Sequence, residues 1–250
     1  MVYFIGAGPG DPELLTLKAK KIIQASSIII YAGSLINKDI LKIAPRKALR
    51  YDSSKMALEE VLAIMQKEKL SKKIIARVHS GDPSLYGAIQ EQISWCRKEN
   101  VPYQVIPGVS SFCAAAAALE QELTLPGIAQ TVIISRLCGR TKVPKKEDLG
   151  KLALIKATLV IFLSVDKIRQ VVRQLRCGYS NDTPAAVVYR ASWPDELIVR
   201  GTLKDITAKV KQAGIKKQAL IFVGEVFGKK EFEMSKLYDK NFSHLYRRKK

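Results

Sequence analysis

Strand-sized apolar runs alternate with helical patterns through most of this chain, and that alternation restricts the fold more than any other feature. Residues 2–6, 27–31, 73–78 and 103–106 read as strands, and 15–24, 57–66, 84–98 and 110–119 as helices. Strands separated by helices predict a mostly parallel sheet covered on both faces. Thr16 is a candidate cap for the first helix, with Asp11 as an earlier start. Pro12, Pro83 and Pro107 fall in loops after strands, where open α/β sheets place their ligands.

Around residues 120–127 the rhythm breaks at Pro126 and Gly127, which places a domain boundary. The division expected is an α/β domain over 1–121, a second over 122–228 and a basic tail over 229–250. In the second domain 131–135, 158–163, 185–189, 197–200 and 219–223 read as strands, and 147–155, 166–175 and 203–213 as helices. A hairpin-like pair around Trp193-Pro194-Asp195 predicts that this sheet is mixed. A hydrophobic share of 47% in 250 residues is enough to bury a sizeable core.

Cys96, Cys113, Cys138 and Cys177 fit neither a disulfide scaffold nor a C-x-x-C metal knuckle, and suit a reducing compartment. No apolar run is long enough to span a bilayer, and the start of the chain lacks a secretory pattern. The expectation is a cytoplasmic protein with no membrane partner. The formal charge is +19, of which residues 229–250 carry eight Lys or Arg against three acids. Such a field attracts nucleic acid, an anionic membrane or a polyanionic small molecule, and composition does not separate the three. A nucleic-acid-binding protein is therefore the alternative class, although no aromatic-and-basic strand pattern of an RNA-recognition fold supports it.

Three glycine clusters sit at strand ends. The first, Gly6-Ala7-Gly8-Pro9-Gly10-Asp11-Pro12, begins like a dinucleotide fingerprint but lacks the G-x-G-x-x-G spacing, and no Walker lysine follows. The second is His79-Ser80-Gly81-Asp82-Pro83-Ser84-Leu85-Tyr86-Gly87. Gly81 permits a sharp turn or close ligand contact, and Asp82 is either a cap or a ligand group. His79 has no Cys or His near it in sequence, so no metal site is assigned. The third is Pro107-Gly108-Val109-Ser110-Ser111, whose serines either cap the following helix or face a ligand. Read bare, these clusters describe a two-domain α/β protein with three ligand-facing turns and leave its chemistry open.

Taken together and in order, the clusters resemble the tetrapyrrole methylases. Their first loop G-x-G-P-G-D-x-x-x-[LI]-T is matched from Gly6 to Thr16, their G-D-P at Gly81 to Pro83, and their P-G-[VI]-[ST]-[SA] at Pro107 to Ser111. Later elements are matched at Pro184 to Val188 and Ala219 to Gly224. Tyr31-Ala32-x-Ser34-Leu35, Gly139-Arg140-Thr141-x-Val143-Pro144 and Val188-Tyr189-x-Ala191-x-Trp193-Pro194-Asp195-Glu196 resemble the precorrin-4 branch of that family. Gly33 departs from relatives that carry an acid there.

The resemblance implies the tetrapyrrole methylase fold, two α/β domains with a ligand cleft between them. It implies S-adenosylmethionine as cofactor, held by Pro9, Ser80, Gly81, Asp82, Leu85, Ser110, Ser111, Leu163, Ala191 and Ala219. Leu163 and Ala219 have an ordinary core role as their alternative. The implied reaction is methyl transfer to C11 of precorrin-4 or its cobalt form in cobalamin biosynthesis. Another ring-methylating step, uroporphyrinogen III methylation and a diphthamide-type methylase are the alternatives. An anionic tetrapyrrole suits Tyr31, Ser34, Arg77, Arg136, Arg140 and Arg190 as substrate-binding candidates. No catalytic side chain is assigned, because in-line attack on a sulfonium methyl rests mainly on alignment. A homodimer is expected, with no specific nucleic-acid partner.

Overall fold

The computed structural model describes the chain apart from residues 72, 140, 229, 230, 240, 244 and 248–250 and the side chains of Ser34 and Tyr238. It divides into two compact units, Met1–Ala115 with Arg190–Glu196, and Ala116–Tyr189 with Leu197–Lys250.

In the first unit β1 (Val2–Gly6), β2 (Ile28–Tyr31), β3 (Leu49–Asp52), β4 (Ile75–His79) and β5 (Tyr103–Ile106) make one sheet in the order β3-β2-β4-β1-β5. Every pairing is parallel. α1 (Leu17–Ala25) and α2 (Lys38–Lys42) supply Ala19, Ile23 and Ile40 to the core on one face, against Ile5, Ile29, Ala76 and Val78. α3 (Leu58–Lys67) and α4 (Gln90–Lys98) supply Val61, Met65, Ile93 and Cys96 to the other, against Val2, Phe4, Ile28, Ile30 and Ile75. The strand residues alternate between the two cores with the period of two that a pleated strand imposes. Fully burying each of the larger side chains contributes about 1.5–3 kcal/mol.

Both candidate caps are used at the first helix. The Asp11 carboxylate accepts from Glu13 N–H and opens a single 3-10 turn, and Thr16 Oγ1 then accepts from Ala19 N–H at 3.1 Å to start α1. Two expectations need correction. β3 was not predicted, because Leu49-Arg50-Tyr51-Asp52 is a polar edge strand with no apolar run. The helix expected over 84–98 starts only at Gln90, because Tyr86 and Ala88 lie in the left-handed region at φ +57° and +47°, which interrupts a right-handed helix.

In the second unit β6 (Val132–Arg136), β7 (Thr158–Phe162), β8 (Pro184–Tyr189), β9 (Leu197–Thr202) and β10 (Ala219–Val223) form a sheet in the order β6-β7-β10-β8-β9. Only β6 with β7 is parallel, and the other three pairings are antiparallel, so the sheet is mixed as expected. α6 (Leu149–Ala153), α7 (Ile168–Leu175) and α8 (Ile206–Gln212) pack Leu149, Val171, Leu175, Ile206 and Val210 against Leu159, Ile161, Val187 and Ile221. One further helix, α5 (Ser111–Ala118), runs across the division between the units.

Candidate functional site

β4, β1 and β5 are neighbours, and Ile5 is level with Val78 on one side and Ile106 on the other. The loops that leave their carboxyl ends therefore emerge at one height. The chain leaves β1 toward one face of the sheet and β4 toward the other, an arrangement that opens a ligand crevice at the strand ends.

Glycine allows the three loops to meet backbone to backbone. Gly8 and Gly81, both left-handed at φ +72° and +64°, exchange hydrogen bonds: Gly8 N–H donates to Gly81 C=O at 3.2 Å, and Gly81 N–H to Gly8 C=O at 2.8 Å. A Cβ added at Gly108 would lie 2.3 Å from the Gly81 carbonyl oxygen, and one at Gly6 would lie 2.5 Å from the Gly108 nitrogen. No side chain fits at either place.

Asp82 fastens the second loop to the third. Its Oδ2 accepts from Gly108 N–H at 2.8 Å, while Oδ1 accepts from the Ser84 N–H and hydroxyl. Partial burial pushes its carboxyl up, but the bonds from the Ser84 hydroxyl, Gly108 N–H and Ser84 N–H outweigh burial and hold it below the ordinary aspartate value. Asp82 thus caps the turn at Ser84 and adds a tie that spans 26 residues.

Segment Arg190–Glu196 locks the first loop from the other side. Trp193 Nε1 donates to Pro9 C=O at 2.8 Å, Asp11 N–H donates to Ser192 Oγ at 3.1 Å, and a Cβ at Gly10 would collide with the Trp193 indole at 2.1 Å. The Arg190 guanidinium stacks 3.8 Å from the centre of the Trp193 ring and pairs with Asp195. This latch was not recognised in the sequence, where the Trp193 region reads as a hairpin and a branch-like segment. The pairing of an indole with a glycine 183 residues away leaves no local signal.

The first unit thus brings together Pro9, Ser80, Gly81, Asp82, Leu85, Ser110, Ser111 and Ala191. Ser110 and Ala191 are buried, and Ser80, Asp82, Leu85 and Ser111 are half-buried. Peptide groups, small hydroxyls and one committed carboxylate form a cradle that fits the polar groups of S-adenosylmethionine. Beside it, a cavity of about 630 Å³ is lined by Tyr31, Gly33, Asn37, Asp52, Arg190 and Trp193, with Lys38 and Lys42 at its edge. Tyr31 and Arg190 meet there. A Cβ at Gly33 would lie 2.6 Å from Ser54 Oγ and 2.9 Å from Asp52 Oδ1, so the place of a side chain at position 33 is taken by β3 and the turn after it. Arg77 is buried under the strand ends, and the Ser34 side chain and Arg140 lie outside the described residues.

Leu163, Ala219 and Arg136 belong to the second unit. Ala219 is in its core, whereas Leu163 is 71% exposed and left-handed at φ +51°, which removes the core alternative for that residue. Backbone strain of this kind persists where the surroundings impose it, and concentrates at functional sites. Arg136 donates to the carbonyls of Thr141 at 3.0 Å and Lys142 at 3.1 Å, so its guanidinium shapes its own loop. Leu163 and Arg136 line a cavity of about 300 Å³ with Cys138, Gly139, Thr141 and Lys167.

Residues 1–207 match the family of tetrapyrrole (corrin/porphyrin) methylases. The chain is 54% identical over 248 residues to a cobalt-precorrin-4 C(11)-methyltransferase of Methanocaldococcus jannaschii, covering 99% of this chain and 96% of that one. It is 31% identical to a uroporphyrinogen-III C-methyltransferase of the same organism, over 90% of this chain and 96% of the other. Among solved structures, a cobalt precorrin-4 methyltransferase superposes with a TM-score of 0.89 at 44% identity, covering 91% of this chain and 96% of that one. A uroporphyrin-III C-methyltransferase of Thermus thermophilus complexed with S-adenosyl homocysteine superposes with a TM-score of 0.76 at 28% identity, covering 91% and 93%.

Proposed function

This chain belongs to the tetrapyrrole (corrin/porphyrin) methylases, and on that premise we propose that it transfers the methyl group of S-adenosylmethionine to C11 of precorrin-4 or cobalt-precorrin-4 in cobalamin biosynthesis. The observation that carries this reading is near full-length identity of 54% to a C11 enzyme, against 31% to a uroporphyrinogen enzyme. S-adenosylmethionine supplies an electrophilic sulfonium methyl, so the protein's part is to bind and align.

We assign the cofactor to Pro9, Ser80, Gly81, Asp82, Leu85, Ser110, Ser111 and Ala191 of the first unit and to Leu163 and Ala219 of the second. The Gly8–Gly81 bridge, the Asp82 tie and the Trp193 latch support the first-unit part of this assignment, because they hold the three loops in place before any ligand arrives. Tyr31, Ser34 and Arg190 are assigned to the macrocycle, with Arg140 and Arg136 as further candidates for its carboxylates. The domains proposed remain 1–121 and 122–228, followed by the tail 229–250. Among the described residues no helix is long and apolar enough to cross a membrane. We propose a cytoplasmic homodimer, a reading that a monomer in light scattering would end.

Incubation with labelled S-adenosylmethionine and a panel of pathway intermediates, followed by NMR location of the new methyl group, tests the reaction. Label on C11 of precorrin-4 or its cobalt form is expected. Label on another ring carbon, or on uroporphyrinogen alone, overturns the C11 assignment.

A further inference from the structure

Of the three side chains of β4 that point into the core shared with α3 and α4, Ile75 is apolar but Arg77 and His79 are not. His79 lies 6.3 Å from the Phe4 ring, and among the described residues its Nε2 has no hydrogen-bond partner. Arg77 is 8% exposed, and among the described residues no carboxylate pairs with it. Its partners are neutral: Nε donates to Gln92 Oε1 at 3.0 Å, and Nη1 donates to Ser53 Oγ at 3.0 Å and to the Ile30 carbonyl at 3.4 Å. A charged guanidinium held in a core by neutral acceptors is costly where an apolar side chain would pack.

Each of the two neutral side chains passes the connection on. Gln92 Nε2 donates to Ala88 C=O at 2.9 Å, and the Ser53 hydroxyl donates to Tyr31 C=O at 2.9 Å. Four hydrogen bonds therefore join the carbonyl at the end of β2 to the carbonyl at the end of the second loop, with Arg77 at their centre. Both ends are places that need holding. Tyr31 lines the 630 Å³ cavity. Ala88 and Tyr86 are left-handed, and a Cβ on Gly87 between them would lie 2.2 Å from Pro83 O, so turn 86–88 adopts a conformation its residues do not favour alone.

We propose that Arg77 is a positioning residue for methyl transfer, one arm of its guanidinium fixing turn 86–88 of the cofactor loop through Gln92 and the other fixing the rim of the Tyr31 cavity through Ser53. The inference rests on the functional reading above, in which the second loop holds S-adenosylmethionine and Tyr31 faces the macrocycle. A planar fork with donors in fixed directions sets the distance between two acceptors, which a lysine ammonium does not. Arg77 so placed touches neither ligand, in contrast to the carboxylate-binding role expected from sequence.

The arms are separable. Gln92→Met cuts the first and Ser53→Ala the second, while Arg77→Lys weakens both. Calorimetry with S-adenosylhomocysteine and the KM for the macrocycle read them out. Gln92→Met raises the Kd for S-adenosylhomocysteine about tenfold and leaves the KM within about twofold, Ser53→Ala does the reverse, and Arg77→Lys raises both. A merely structural role predicts that any loosening moves both parameters together. The inference is overturned if Gln92→Met and Ser53→Ala alter the same parameter or if neither alters any, even should Arg77→Lys not fold. Hydrogen exchange of amides 85–89 in the ligand-free protein tests the strut without the functional reading: Gln92→Met speeds it, and an unchanged rate refutes the first arm. Parent protein that binds no S-adenosylhomocysteine, with exchange faster in Gln92→Met, would instead refute the functional reading alone.

Discussion

Acid should destabilise this protein through His79, and by a predictable amount. Burial is the main reason that the imidazole resists a proton; the neighbouring Arg77 adds to it, and a hydrogen bond to the Gly87 backbone opposes it only in part. The pKa falls from 6.5 to about 3 in the folded chain. Between those values the unfolded chain binds one proton more than the folded one, so stability falls as pH falls. The contribution is fully present above the unfolded value and is lost as the pH drops from there toward the folded one. At about 1.4 kcal/mol for each pH unit, the loss from about pH 7.5 to about pH 5 is about 2 kcal/mol, a large part of a typical stability of 5–15 kcal/mol. Urea unfolding of the parent and of His79→Phe at both pH values isolates the effect from the carboxylates that also titrate. The parent should lose about 2 kcal/mol more than the variant over this interval. Equal losses, or an imidazole that titrates near its ordinary value in the folded protein by NMR, would refute the argument from burial.

Gly108→Ala should abolish binding of S-adenosylhomocysteine in calorimetry and lower stability by about 1–3 kcal/mol or more, because its Cβ meets backbone and neither loop can yield. Intact binding would show that the second and third loops are not in contact. Leu163→Gly should raise stability by about 1 kcal/mol in urea unfolding by relieving a left-handed residue that buries little surface, while weakening cofactor binding. A variant that is less stable but binds as tightly as the parent would place Leu163 outside the site.

Much of the fold was legible because its strands are apolar runs with little else to become. Residues 2–6, 103–106 and 219–223 occur as strands at the bounds expected from sequence. Where the reading failed, local pattern and tertiary setting disagreed. β3 gains its place from pairing with β2, with Leu49 opposite Ile28 and Asp52 opposite Tyr31, and not from its own composition. Residues 84–89 look helical in type, but the bond from Gln92 to Ala88 C=O and the one that Asp82 accepts from Ser84 N–H hold that stretch as a turn. Arg136 reads as a cation available for a carboxylate until the carbonyls of its own loop are seen to take its donors.

The site divides in the same way, for a physical reason. Gly6, Gly81 and Gly108 are written into the sequence because three neighbouring strands end at one level and their loops touch through the main chain: a Cβ is excluded at Gly6 and Gly108, and Gly81 is left-handed. A demand made on the backbone selects one residue type, so it leaves a motif. Arg77, Gln92, Ser53 and Trp193 answer demands made on side-chain reach across 4 to 184 residues of chain, which many local sequences satisfy. Those residues join the loops to one another and to the Tyr31 cavity. It follows that the glycine motif reports the contact between the three loops, while the ties made by Arg77, Gln92 and Ser53 fall outside every motif read from the sequence. Exchanging residues 31–35 between this chain and a uroporphyrinogen enzyme should shift macrocycle preference in a competition assay while the Kd for S-adenosylhomocysteine changes little.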